Sequence, residues 1–207
     1  MPAMGEGNER YVAGLYCGPA LDGVDASLLA LRGRRDRLKP RELRHMVVPL
    51  RAALAERVHA AAAGACESAE VFAQIRRDVS RAMAEAGEAL LGHLPADRRR
   101  GVLAVGAVGP RLAATRTGPA DRAGAALDSL EPAVVAARLQ RPVASGFAVA
   151  DLAAGGAGTA DTAFGDWTLL HDLRLSRVAV QLGAVAAVTF VPAAARPDDV
   201  LAFDAGP

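Results

Sequence analysis

Aromatic residues make up only 4% of the 207 residues, and lysine occurs once, at Lys39, so arginine carries nearly all the positive charge. Neither sign of charge dominates: 24 basic side chains face 23 acidic ones. That balance excludes a polycationic nucleic-acid arm and an acidic tail. Two cysteines, Cys17 and Cys66, are too few for a disulfide scaffold and fit a reducing compartment. The first ten residues include Glu6 and Glu9 and hold no apolar stretch, so no signal peptide is expected. Val178–Ala195 carries no charge and reaches the lower length limit of a membrane helix, roughly 17 residues. Gln181, Gly183, Thr189 and Pro192 interrupt it, and its valines fall near alternate positions, which points to buried strands. A soluble, cytoplasmic protein is expected, with neither nucleic acid nor membrane as partner.

Hydrophobic residues, by contrast, make up 52% of the chain, too many for disorder. Alanine alone is roughly a quarter, well above its usual share. Arg10–Tyr16 and Val24–Leu31 read as strands joined by a Gly/Pro-containing loop, Cys17–Gly23. Pro40-Arg-Glu-Leu43 is expected to open a helix with Leu43, Val47, Leu50, Leu54 and Val58 on one face. A second helix is expected from Ser68 to Leu91 and a buried strand over Gly101–Val108. A short helix follows over Pro132–Arg138, then an apolar strand-like run, Pro142–Ala150, and a loop, Asp151–Asp166. Arg177–Gln181 and Val185–Val191 repeat the strand–glycine–strand arrangement of the N-terminus. Strands, long helices, then further strands predict an α/β fold around a mixed sheet.

The residues alone leave the chemistry open. Asp22 and Asp25 follow a glycine-bearing turn that could bring backbone N–H groups to phosphate and carboxylates to Mg²⁺, but Asp22-Gly23 is also ordinary turn chemistry. Asp151, before Gly155-Gly-Ala-Gly158, suits a general base at a strand end and equally a solvated loop. No Walker-type Lys-Ser/Thr follows a glycine cluster, and no serine elbow is present. His45, His59, His93 and His171 are scattered, without metal-ligand spacing.

Taken in order, four motifs carry a resemblance. Gly14-Leu-Tyr-Cys-Gly-Pro-Ala-Leu-Asp-Gly-Val-Asp25 resembles the signature Gly-Leu-Met-Ser-Gly-Thr-Ser-Leu-Asp-Gly-Val-Asp of anhydro-N-acetylmuramic acid kinases. Pro142–Gly156 is similar to that family's Pro-Val-Val-x-Asp-Phe-Arg-x-x-Asp-Val-Ala-x-Gly-Gly. Gln181–Thr189 resembles its Asn-Ile-Gly-Gly-Ile-Ala-Asn-Val-Thr, and Phe203-Asp-Ala-Gly-Pro207 the opening of its Phe-Asp-x-Gly-Pro-Gly-Asn.

The resemblance implies the sugar kinase, heat-shock ATPase and actin superfamily: two ribonuclease-H-like domains closing over ATP and Mg²⁺. It implies phosphorylation and ring opening of a cell-wall-derived anhydro amino sugar. Gly18 and Asp22-Gly23 would then belong to the first phosphate loop and Gly183 to the second. Asp151 would be the catalytic base, with Asp204 and Gly206 also toward the nucleotide. Residues 1–9 would be a disordered N-terminus, 10–170 the first domain, and 171–207 the opening hairpin of an incomplete second one.

Departures from the family pattern point away from turnover. Cys17, Pro19 and Ala20 replace three hydroxyl residues, and Pro19 also lacks an N–H. Val108-Gly-Pro-Arg111 replaces His-Gly-Gln-Thr, Gly146-Phe-Ala148 replaces Asp-Phe-Arg, and Gln181 and Ala187 replace two asparagines. Ala184 adds a Cβ where phosphate would approach. The expected product of this drift is a truncated, non-catalytic relative that binds an amino sugar or a protein. A homodimer through the Arg177–Val191 hairpin is also expected, because an isolated hairpin is marginal in water, the alternative being a dock of the hairpin against the helix around Val71–Leu90 of the same chain.

Overall fold

The structure, a computed structural model, describes residues 9–34, 37–65, 68–115, 124–156, 158 and 162–206. Cys66, residues 1–8, most of the Gly118–Gly124 connection and Pro207 lie outside the described residues.

The described residues form ten strands and six α-helices, in two compact units. The first unit is built on residues up to Arg32, Arg41–Thr115 and Ala126–Gly146; the second is built mainly on Phe147 onward. Residues 147–170, expected with the first domain, therefore cluster with the C-terminal strands.

In the first unit, β1 (Arg10–Tyr16) pairs antiparallel with β2 (Gly23–Arg32). It pairs parallel with β4 (Val102–Val108), which in turn pairs parallel with the two-residue β7 (Val143–Ala144). With β3 (Lys39–Pro49) on the far side of β2, the sheet order is β3-β2-β1-β4-β7. This is the mixed sheet with flanking helices that the ribonuclease-H-like resemblance implies.

The alternation along β2 is regular: Val24, Ala26, Leu28 and Ala30 are buried and the residues between are not. Against the sheet lies α2 (Ala69–Gly92), whose Ile75, Val79, Met83 and Leu90 fall at helical spacing and are fully buried. Ser68 caps it, its Oγ accepting from the Val71 N–H at 3.3 Å. Helices α1 (Ala52–Ala62), α3 (Ala96–Gly101) and α4 (Pro132–Leu139) complete the unit, with a two-stranded ribbon of β5 (Arg111–Thr115) and β6 (Ala125–Asp128).

Two expectations need correction here. The helix expected from Pro40 begins only at Ala52; Lys39–Pro49 is strand β3. Its apolar spacing suits either period, and pairing with β2 decides the matter, Pro40 being tolerable on an edge strand. Likewise only Val143–Ala144 of the run Pro142–Ala150 is extended. Gly146 turns the chain with φ +72°, and the alanine-rich Phe147–Ala153 becomes helix α5.

The second unit contains α5, α6 (Ala163–Leu170) and a sheet of order β10-β9-β8, from β8 (Arg177–Gln181), β9 (Ala186–Val191) and β10 (Leu201–Gly206). The expected hairpin is thus a three-stranded sheet, β9 pairing antiparallel with both neighbours. Much of the Asp151–Asp166 loop is helical instead: α5 holds Asp151 and α6 holds Asp166. Among the described residues no helix is long and apolar enough to cross a membrane.

Ser80 joins α2 to α4. Its buried hydroxyl donates to the Arg76 carbonyl at 2.6 Å and accepts from the Glu131 N–H, just before α4, at 2.7 Å. Ser80→Ala strands that N–H, and we expect urea denaturation to show a loss of about 1–3 kcal/mol.

Candidate functional site

Three strands deliver their ends to the first candidate loop. The ends of parallel strands are where ligands gather in α/β sheets. Tyr16, the last residue of β1, stands in register with Val108 at the end of β4. The chain then turns through residues 17–22 into β2, so Val108-Gly-Pro-Arg111 leaves its strand beside the loop. The Cys17 N–H donates to the Val108 carbonyl at 2.9 Å, and the Leu21 N–H closes back on the Gly18 carbonyl at 3.2 Å. Leu21 completes the turn with φ +55°, unusual for a leucine, while its side chain is buried in the core.

Of the two loop glycines, Gly23 answers to packing. A Cβ on Gly23 would stand 2.7 Å from Val47 Cγ1 and 2.9 Å from the Val48 carbonyl oxygen, so β3 crosses too closely for any side chain. A Cβ on Gly18 would meet the Tyr16 ring at 2.9 Å. Asp22 is exposed, and its carbonyl accepts from the Leu50 N–H at 3.2 Å, tying the loop to the end of β3. Asp25 Oδ1 lies 3.0 Å from His45 Nε2. Among the described residues no three His, Cys, Asp or Glu side chains gather as a metal ion needs.

Cys17 is 1% exposed. Burial pushes its thiol pKa up to about 11, and the negative charges of Asp22 and Asp25 add to the rise. It is an inert thiol.

Asp151 is not at a strand end, as expected, but on α5. Its Oδ2 accepts from the Gly158 N–H at 2.8 Å, and its carbonyl accepts from the Gly156 N–H at 2.8 Å. A Cβ on Gly156 would sit within reach of clashing with both carboxylate oxygens, closest to Oδ2. Gly155 and Gly158 take φ of +91° and +67°. Gly156 and Gly158 of the Gly-Gly-x-Gly motif are therefore both held against Asp151.

At one end of the second sheet, the β8–β9 turn carries Gly183 between exposed residues. Gly206 stands opposite Ala186 and Asp204 opposite Ala187, so the sheet brings Gly183, Asp204 and Gly206 to one end. Asp166 was not singled out by the sequence. Its Oδ2 accepts from the buried Thr189 hydroxyl at 2.6 Å and from the Gln181 side-chain amide at 3.5 Å, fixing the two strands that frame the turn. Only the helix-to-strand packing reveals it. Gly18, Asp22 and Gly23 belong to the first unit; Asp151, Gly183, Asp204 and Gly206 belong to the second.

A family model described as "Anhydro-N-acetylmuramic acid kinase" matches residues 9–207. The anhydro-N-acetylmuramic acid kinase of Salinibacter ruber is 33% identical over 204 residues, covering 97% of this chain and 51% of the relative. That of Gloeobacter violaceus is 34% identical over 197 residues, covering 94% and 51%. The chain thus spans about half the length of the curated relatives it matches. Among solved structures, an exopolyphosphatase-like protein aligns over 96% of this chain and 51% of its own, at 11% identity and a TM-score of 0.45.

The state of Cys17 has a direct readout. At pH 8 its thiolate fraction is far below that of a free cysteine, so the peptide containing Cys17 should label with iodoacetamide much more slowly in native protein than in urea. Equal rates by mass spectrometry would contradict the buried, raised-pKa thiol.

Proposed function

The chain belongs to the anhydro-N-acetylmuramic acid kinase family, and from that premise we propose that it is a kinase-like binding protein that does not itself transfer phosphate. The family role is ATP-dependent phosphorylation of an anhydro amino sugar, and the ligand we assign to this chain is that sugar class. The observation that carries this reading is the donor count in the first loop. A phosphate loop works by aiming backbone N–H and hydroxyl groups at the β- and γ-phosphates. Here the Cys17 and Leu21 N–H groups are bonded within the protein, Pro19 has none, and positions 17, 19 and 20 carry no hydroxyl. At most Gly18, Ala20 and Asp22 are left to donate.

ATP and Mg²⁺ are what a kinase family implies, and the residues present fit them poorly. The loop lacks donors, and Asp25 is engaged by His45. By analogy with oxyanion holes, each missing donor costs about 2–4 kcal/mol of transition-state stabilisation. Several together leave no useful rate.

A second reading, an active kinase completed by a polypeptide matching the relatives' other half, is favoured by one observation. Asp151 is retained at the position of the family's catalytic base, although its Oδ2 is already bonded by Gly158.

The test is incubation of the chain with ATP, Mg²⁺ and 1,6-anhydro-N-acetylmuramic acid. We expect no ADP above background, while calorimetry with the sugar alone gives measurable heat. Product formation that Asp151→Asn abolishes would overturn the non-catalytic reading. Absence of sugar binding would overturn the ligand assignment.

A further inference from the structure

Helices α1 and α2 pack together in the first unit, and a cavity of about 400 Å³ opens between them. Arg51, Ala53, Leu54 and Arg57 line it from the start of α1, and Asp78 and Arg81 from one face of α2. Three guanidinium groups thus share the cavity with one carboxylate, the only one among the described residues that line it.

Both oxygens of that carboxylate are taken. Asp78 Oδ2 accepts from Arg57 at 2.9 Å, and Oδ1 accepts at 2.9 Å from Arg77, which is outside the lining. Arg51 and Arg81 are exposed, and neither has a hydrogen bond or ion pair among the described residues. Arg51 also borders a smaller cavity with Glu85, but Arg138 approaches that carboxylate at 3.5 Å. Three arginines against one aspartate leave the larger cavity an excess of two positive charges. Helix α1 opens here with no acidic side chain in its first turn, so the positive end of its dipole adds to the same field.

The charge selects the ligand. A carboxylate brings one negative charge and leaves one guanidinium unspent. A phosphomonoester brings about 1.5–2 negative charges at neutral pH and three acceptor oxygens, which two planar guanidinium forks match. The cavity volume is in the range of small-molecule sites, so bare phosphate would leave much of it unfilled. Ala53 and Leu54 offer an apolar wall to the organic remainder. We propose that this cavity binds a small phosphomonoester. Arg51 and Arg81 clamp the phosphate, and Arg57, fixed by Asp78, completes the positive wall. The site is separate from the one proposed for the amino sugar. None of the residues named here belongs to the candidate loop or to the glycine-rich turn at Asp151.

Titration calorimetry of the 207-residue chain with phenyl phosphate, at neutral pH and constant ionic strength, tests this. We expect saturable binding at one site, weaker binding of inorganic phosphate and of acetate, and no saturation by phenol. Arg51→Gln and Arg81→Gln should each weaken phenyl phosphate binding by about tenfold or more, since each removes a charged hydrogen-bonding partner. Arg81→Lys keeps the charge but loses the fork, and its affinity should fall between. Arg98→Gln removes an exposed charge from α3 and should leave the affinity unchanged. Circular dichroism should show every variant folded, because Arg51 and Arg81 are exposed. Absence of saturable binding would overturn the proposal. Binding that survives both glutamine substitutions would overturn it too, by putting the phosphate elsewhere, the candidate loop included. Equal affinity for acetate or for inorganic phosphate would overturn the assignment to a phosphomonoester.

Discussion

Along α2, the side chains of Ile75, Val79, Met83 and Leu90 lie against β1 and β2, and the first unit is organised around that seam. Each such burial is worth about 1.5–3 kcal/mol, so four in line outweigh any single polar contact nearby. The approach is close enough to require glycine at one point. A Cβ on Gly87 would stand 2.6 Å from Leu139 Cδ1 and 3.3 Å from Leu15 Cδ1, where helix, strand and α4 meet. The candidate loop inherits this rigidity, because Cys17 and Leu21 at its two ends belong to the same buried cluster.

What was legible beforehand follows the strength of local periodicity. The regular alternation of Val24, Ala26, Leu28 and Ala30, and the stripe of α2, each admit one period, and both elements lie where the pattern puts them. Leu43, Val47 and Leu50 fit a helix as well as an irregular edge strand, and only pairing with β2, remote from the pattern itself, separates the two. Pro142–Ala150 failed differently. Apolar runs of that length carry no period, and the break at Gly146 is visible only as a backbone angle.

The candidate sites divide along the same line. Motif order was enough to place the chain in its family, because motifs are strings. It could not say what holds each motif residue. The nearness of β3 to Gly23 and the bond from Gly158 to Asp151 are contacts between residues whose types announce nothing. The same holds for Asp166: an aspartate between two loops reads as solvated until a strand delivers Thr189 to it. Glycines in such motifs can serve a ligand or the protein's own packing, and at Gly23 and Gly156 packing alone accounts for them.

The ring of Tyr16 has a steric consequence at Gly18. It lies where a side chain on Gly18 would be, nearly half of the residue is exposed to water, and the loop beneath it is pinned at both ends. The ring thus occupies the space beside Gly18 that a side chain would take. A side chain introduced at Gly18 would therefore displace the ring before it disturbed the loop.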